Sequence, residues 1–221
     1  MSDKQTRERI LEVAEKLFSE NGFEGTSLRA ITAAADVNLA AVHYHFGSKI
    51  GLLQAAVRRR VDPVNRERLR RLDAAIAAAG GDTPPVEAIL DAFVRPTVEA
   101  MQDFDAQHLM GFFQIMHSRE VDPEFFRDTF GEVLQRFSIL SDALPHLTPD
   151  EMSWRFHFLV GSLMQSFNRR VLEVHPGLDD WQTDERVDAL VAYAAAGFRA
   201  PATRPIDTSG SGRRAGQETT P

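Results

Sequence analysis

"TSLRAITAAADVNLAAVHYHFGSK", residues 26–49, holds two short helical segments and the turn between them. Thr26 or Ser27 stands where an N-cap belongs, ahead of Leu28 and Ile31 at inward-facing spacing. Asp36 falls where the chain must turn, and Asp tolerates the left-handed conformation better than most residues. Asn38 then caps a third helix over 39–45. "GSK" breaks the chain again, and Ser48 caps a fourth helix from Lys49 onward. Upstream, "RERILEVAEKLFSENG" puts Ile10, Val13, Ala14, Leu17 and Phe18 at helical spacing, with Gly22 as the C-cap and "FEGT" as a turn. These elements predict a compact bundle too small to be very stable alone, tied to the rest of the chain by the fourth helix. Pro63 is expected to kink or end that helix.

The pair His43 and His45 invites a metal reading, but helical spacing opposes it. Residues two apart on a helix diverge by about 200°, whereas two ligands need a spacing of three or four. No other His, Asp or Glu lies between 37 and 53 to complete a site. The bland alternative packs one histidine inside and leaves the other on the surface. Catalysis finds no foothold: there is no cysteine nucleophile, no glycine-rich phosphate loop and no Gly-x-Ser-x-Gly elbow. No catalytic residue, metal or cofactor is nominated, and the chain is not expected to be an enzyme.

Two short helices over 27–35 and 39–45, separated by a tight turn, instead match helix-turn-helix geometry, in which the second helix enters the major groove. His43, Tyr44 and His45 are polar aromatics that can reach base edges and phosphates. Lys49 opens the next helix, where free amides and the macrodipole already favour a phosphate. Arg29 adds a charged contact from the first helix of the pair. Val42 and Phe46 hold the second helix to the bundle.

Charge is distributed to suit this reading. The chain has 221 residues and a formal net charge of −7. Residues 1–71 hold 13 Lys+Arg and 9 Asp+Glu, a net of +4; the remainder holds 12 and 23, a net of −11. A mildly basic end on an acidic body is compatible with an anionic partner at that end, although uneven surface charge explains it about as well. There are no cysteines, no run of about 18 uncharged apolar residues and no apolar stretch in "MSDKQTRERI". A cytoplasmic protein without disulfides, secretory signal or membrane partner is expected.

The body reads as longer helices: "PVNRERLRRLDAAIAAAG", then Pro85 to about Gln107 interrupted by Pro96, then "AQHLMGFFQIMHSRE" and "PEFFRDTFGEVLQRFSILSDAL", split at Pro123. "TPDEMSWRFHFLVGSLMQSFNRRVLEV" begins with Thr148 as cap and Pro149 after it, and "TDERVDALVAYAAAGFRA" is the last helix. No stretch shows sustained period-two alternation, so the fold class is all-α. Residues 201–221 turn to Pro, Thr, Ser, Gly and Arg and read as a disordered tail.

The stretch from about Arg7 to Val57 resembles the DNA-binding domain of TetR-family transcriptional regulators. The residues that carry the resemblance are "ILEVAEKLFSENGFEGTSLRAITAAADVNLAAVHYHFGSKIGLL". It implies a helix-turn-helix domain over 1–60 (motif about 27–46) and a C-terminal ligand-binding and dimerisation domain over 61–200. It also implies a homodimer on a palindromic double-stranded DNA operator, usually a repressor released by a small ligand. By position, the family's DNA contacts fall on Ser27, Arg29, Asn38, Leu39, Ala40, Ala41, His43, Tyr44, His45 and Lys49. His43 stands where tyrosine is commoner, and Asp36 replaces the usual turn glycine. Leu39, Ala40 and Ala41 are apolar, so readout there rests on methyl contacts such as those to thymine.

The resemblance also directs attention to two features of the body. The helix from 149 carries Phe156, Val160, Leu163 and Phe167; with Leu190, Val191 and Ala194 of the last helix it forms the candidate dimer interface. "HLMGFFQIMHSRE" is ordinary core on one reading and the wall of an apolar cavity on the other. Its candidates are His108, Met110, Phe112, Phe113, Met116, His117 and Arg119, joined by His157. The stretch from "VDPVNRERLRRLDAA" through "PPVEAILDAFVRPTVEA" resembles the PsrA-like, fatty-acid-responsive subgroup, implying a fatty acid or acyl-CoA as effector. A helical enzyme acting on an apolar substrate and a protein-binding adaptor remain alternatives.

Overall fold

The computed structural model describes residues 2–101, 122–167, 174, 177 and 181–203. Nine helices are formed among them: α1 (Asp3–Gly25), α2 (Leu28–Ala34), α3 (Leu39–Phe46), α4 (Lys49–Ala78), α5 (Val86–Met101), α6 (Pro123–Arg136), α7 (Ile139–Ala143), α8 (Pro149–Gln165) and α9 (Thr183–Arg199). No strand occurs among the described residues; Gly80 and Asp82 form one isolated bridge. The chain is all-α, as the periodicity predicts.

Local chemistry sets most helix starts. Ser27, Asn38, Ser48, Asp122 and Thr148 each accept a backbone N–H of their own helix through the side chain. Pro123 and Pro149 occupy the first turn, where the missing N–H is no loss. Asp36 takes the left-handed conformation at φ 49° between α2 and α3. Gly22, with φ 70°, breaks the helical path within α1, but a further turn follows before Thr26. Thr26 is buried and donates its hydroxyl to the Leu17 and Gly22 carbonyls, while Ser27 is the cap.

The expectations that Pro63 ends α4 and that Pro96 interrupts α5 are corrected. α4 runs unbroken through Pro63 to Ala78, and α5 runs through Pro96 to Met101. A proline inside a helix costs one hydrogen bond and some strain. Here packing on both sides outweighs that cost: α4 buries Val57, Val61 and Leu72 across the proline, and Pro96 is itself buried among Phe93, Val94 and Val98.

The apolar side chains form two cores. In the head, Ile10, Leu11, Ala14, Phe18, Ile31, Val42, Leu52, Leu53 and Val57 pack α1–α3 onto the first half of α4, and Phe125 of α6 joins them. In the body, Leu72, Ile89, Leu90, Phe93, Val133, Leu159, Leu163, Val187 and Phe198 pack α5–α9 onto its second half. Ion pairs from Arg59 to Glu8, Glu12 and Glu15, and from Arg60 to Glu15, fasten α4 to α1. Of the stretch from Pro201 onward, residues 201–203 are described, and they are held to the body. Ala202 packs on the body core, Thr203 donates its N–H and hydroxyl to Glu151, and Arg155 donates to the Ala200 and Pro201 carbonyls.

Candidate nucleic-acid interface

The α2–turn–α3 unit is held from beneath. Ile31 and Val42 are fully buried, which fixes α2 and α3 to α1 and α4 by their inner faces. Arg9 on α1 donates to the Asp36 carbonyl at 2.8 Å and pins the turn. Val37 N–H donates to the Thr32 carbonyl at 3.0 Å. α3 ends at Gly47, whose φ of 72° suits a residue without Cβ. Gly51 is required for a different reason. A Cβ there would lie 2.2 Å from the Phe46 carbonyl oxygen, so only glycine lets α4 start this close to the end of α3.

The outward face collects most of the residues named from the sequence. Ser27, Arg29, Asn38, Leu39, Ala40, His43 and Tyr44 are exposed, Tyr44 to 77%. His43 Nδ1 lies 2.9 Å from the Gly47 carbonyl oxygen, which orients its ring at the end of the helix. Ala41 and Lys49 are half-buried; Lys49 Nζ sits 4.1 Å above the Phe23 ring, a cation–π contact that keeps the ammonium beside the α3 terminus. His45 does not join the exposed set. Its side chain is 7% exposed, and Nε2 lies 3.6 Å from Asp3 Oδ1. Its ring packs between Tyr44 and Phe46 at centroid distances of 5.0 and 5.9 Å. One histidine out and one in follows from the same 200° divergence that rules out chelation. Among the described residues no group of three His, Asp or Glu stands ready for a metal, and no helix is long and apolar enough to cross a membrane.

Known proteins agree with this arrangement. The profile described as "Bacterial regulatory proteins, tetR family" matches residues 10–56, and that described as "Tetracyclin repressor-like, C-terminal domain" matches 91–197. The chain belongs to the TetR family of transcriptional regulators. A probable HTH-type transcriptional regulator of Bacillus subtilis, YttP, is 46% identical over 52 residues, 24% of this chain and 25% of its own length. The HTH-type transcriptional repressor KstR of Rhodococcus jostii is 30% identical over 116 residues, 47% of this chain and 55% of its own. The chain thus spans only a quarter to about half of these curated relatives. A crystal structure of a TetR family transcription regulator from Marinobacter aquaeolei covers 88% of this chain and 95% of its own with a TM-score of 0.64, at 17% identity.

In this TetR-family chain the body holds a partly open cavity of about 610 Å³ between α4, α5, α6 and α8. Phe93, Phe126, Phe130, Val160 and Met164 make much of its wall, and Phe156 and His157 reach it from α8. His108, Met110, Phe112, Phe113, Met116, His117 and Arg119 lie outside the described residues. Arg68 also lines the cavity, and sequence reasoning passed over it. The signal was present: Val57, Val61, Asn65, Arg68 and Leu72 recur at spacings of three and four, and all are buried. Extending the apolar stripe through "NRER" would have placed Asn65 and Arg68 inside.

Three of the seven residues nominated for dimerisation are enclosed within the protomer, and four keep part of their surface open. Leu163, Val191 and Ala194 are buried in the body core. Phe156, Val160, Phe167 and Leu190 pack against that core half-buried. α8 is apolar on more than one side, and periodicity alone does not tell which side meets the rest of the chain. The side left open carries Trp154 and Phe158, 61% and 62% exposed with rings 5.9 Å apart; α9 exposes Tyr193.

Proposed function

We propose that the protein is a homodimeric repressor that binds a palindromic operator through α2 and α3 and is released by a small apolar effector. The observation that carries the reading is the exposed face of Ser27, Arg29, Leu39, Ala40, His43 and Tyr44 on a helix pair whose inner faces are fully packed. In such a unit α3 lies in the major groove, with Arg29 and Lys49 flanking it towards phosphates. His45, being enclosed, contributes by orienting Tyr44 rather than by touching a base. That KstR is a transcriptional repressor, and that the C-terminal profile is of a tetracyclin repressor-like domain, support repression as the sign of regulation. The 61–200 body and its cavity support an apolar effector, with fatty acids and their acyl-CoA esters as the first to try. Trp154, Phe158 and Tyr193 support a second copy of the chain as the partner on α8 and α9, since exposed aromatics on paired helices suit a four-helix interface.

Sequencing the genomic fragments retained by the purified protein tests the DNA reading. A single shared inverted repeat is expected, and retention of no specific fragment defeats it. With that repeat in hand, Tyr44→Ala should weaken binding by at least about tenfold while leaving the melting temperature nearly unchanged, as exposed positions away from packing do. Trp154→Arg together with Phe158→Glu should convert the protein to a monomer in sedimentation; a persistent dimer would place the interface elsewhere.

A further inference from the structure

Arg68 is 7% exposed, yet among the described residues no opposite charge answers its own. Its Nε donates to the Phe93 carbonyl at 3.0 Å, Nη1 to Asn65 Oδ1 at 3.1 Å and Nη2 to Thr97 Oγ1 at 2.7 Å. The guanidinium carbon lies 4.0 Å from the centre of the Phe93 ring. Every one of these partners is neutral. A guanidinium has five N–H groups, so each terminal nitrogen keeps one N–H unused. Burial lowers its pKa to about 10, which leaves it protonated at neutral pH.

Charged groups buried this deeply are ordinarily paired with an opposite charge. The described wall of the cavity includes Arg60, Arg68 and His157 and contains neither Asp nor Glu. This stands against the composition of the surrounding body, where residues 72–221 carry a net charge of −11. Arg60 is already engaged by Glu15 at 2.6 Å. Among the described residues Arg68 is therefore a cation without a counter-ion, set in a wall that is otherwise mostly Phe, Val, Leu and Met.

Resting on the effector-cavity reading above, we propose that the effector is an amphiphile with a single carboxylate, received by Arg68. Its apolar chain lies along Phe126, Phe130, Val160 and Met164. Carboxylate suits the site because a planar guanidinium fork matches two carboxylate oxygens, and the charge-assisted bonds strengthen where water is excluded. A free acid fits this description. A coenzyme A thioester, which has no free carboxylate at the end of its acyl chain, does not.

Calorimetric titration of the full chain with dodecanoic acid, dodecan-1-ol and dodecanoyl-CoA tests it. The acid should bind the wild type at least about tenfold more tightly than the alcohol, given that charge-assisted hydrogen bonds are roughly twice as strong as neutral ones. In Arg68→Met the two should bind within about threefold of each other, and Arg68→Lys should keep part of the preference, having the charge without the fork. Equal binding of acid and alcohol by the wild type overturns the carboxylate assignment and leaves the apolar cavity standing. So does a preference for the thioester, or one that persists in Arg68→Met. Failure of all three ligands to bind defeats the effector-cavity reading itself and this inference with it. Should the variants not fold, a crystal structure of the wild type with dodecanoic acid decides. Its carboxylate should lie within hydrogen-bond distance of Nη1 or Nη2, and a carboxylate elsewhere overturns the proposal.

Discussion

The head and the body are packed by the same kinds of side chain to opposite ends. Around Phe18, Ile31, Val42 and Leu52 the head buries its core side chains completely, its turns pinned by caps and by Arg9, and a close backbone approach reserved for Gly51. The body, with the larger core, leaves about 610 Å³ unfilled and buries a cation beside the space. A filled interior specifies one shape, which a surface that must register on a duplex needs. A void costs contacts that a guest can restore.

The sharpest way to break this comparison is to truncate one aromatic in each region. Phe18→Ala removes a fully buried ring from the head and should cost about 3–5 kcal/mol, the usual range for Phe→Ala in a core. Phe126→Ala, in the cavity wall and 43% exposed, should cost well under half of that. Chemical denaturation of both measures the contrast; equal losses would mean the cavity wall is as tightly specified as the head. Gly51→Ala comes next. The added methyl meets the Phe46 carbonyl, so about 1–3 kcal/mol of stability should go, as in overpacking generally, together with operator affinity. Asn38→Ala removes the α3 cap and should cost about 1 kcal/mol, read as a small fall in denaturation midpoint.

The smallest effect concerns the chain end of the body. The Thr203 N–H and the Arg155 guanidinium hold the Glu151 carboxyl down at about 2. A lowered carboxylate pKa adds stability above its ordinary value of about 4.5, and that stability is lost as pH falls towards 2. The gap in melting temperature between wild type and Glu151→Gln should therefore be constant near neutrality and narrow below about pH 4.5. A gap independent of pH would assign the effect to lost hydrogen bonds alone.

What the sequence revealed divides along the same line. Ser27, Asp36, Asn38, Ser48 and Thr148 were legible because a cap or a turn is decided by a few neighbouring atoms. The proline readings failed for the converse reason: Pro63 and Pro96 are breakers locally, but the packing that overrides them comes from residues tens of positions away. Of the dimer candidates, Leu163, Val191 and Ala194 are claimed by the protomer's own core, because an apolar helix does not say which of its sides its own chain will bury. The two-residue spacing of His43 and His45 opposes chelation, yet only the position of α1 decides which ring turns inward. Arg68 was hidden among its neighbours in "RERLRR", where composition reads as a solvated face and only the phase of the stripe separates the enclosed arginine from the exposed ones.

α4 joins these two regions as one thirty-residue helix, about 45 Å long at 1.5 Å per residue. Lys49, beneath the recognition helix, and Arg68, in the cavity wall, are nineteen residues apart on it, or about 28 Å. With no loop between them to absorb a rotation, α4 would serve the proposed effector response as a lever arm. A tilt of about 5° set at the arginine end carries the lysine end roughly 2 Å, by the rise of the helix alone. A displacement of that size is comparable to the tolerance of a hydrogen bond to a base edge, so under the proposed function the unbroken passage through Pro63 would set the mechanical gain between cavity and groove.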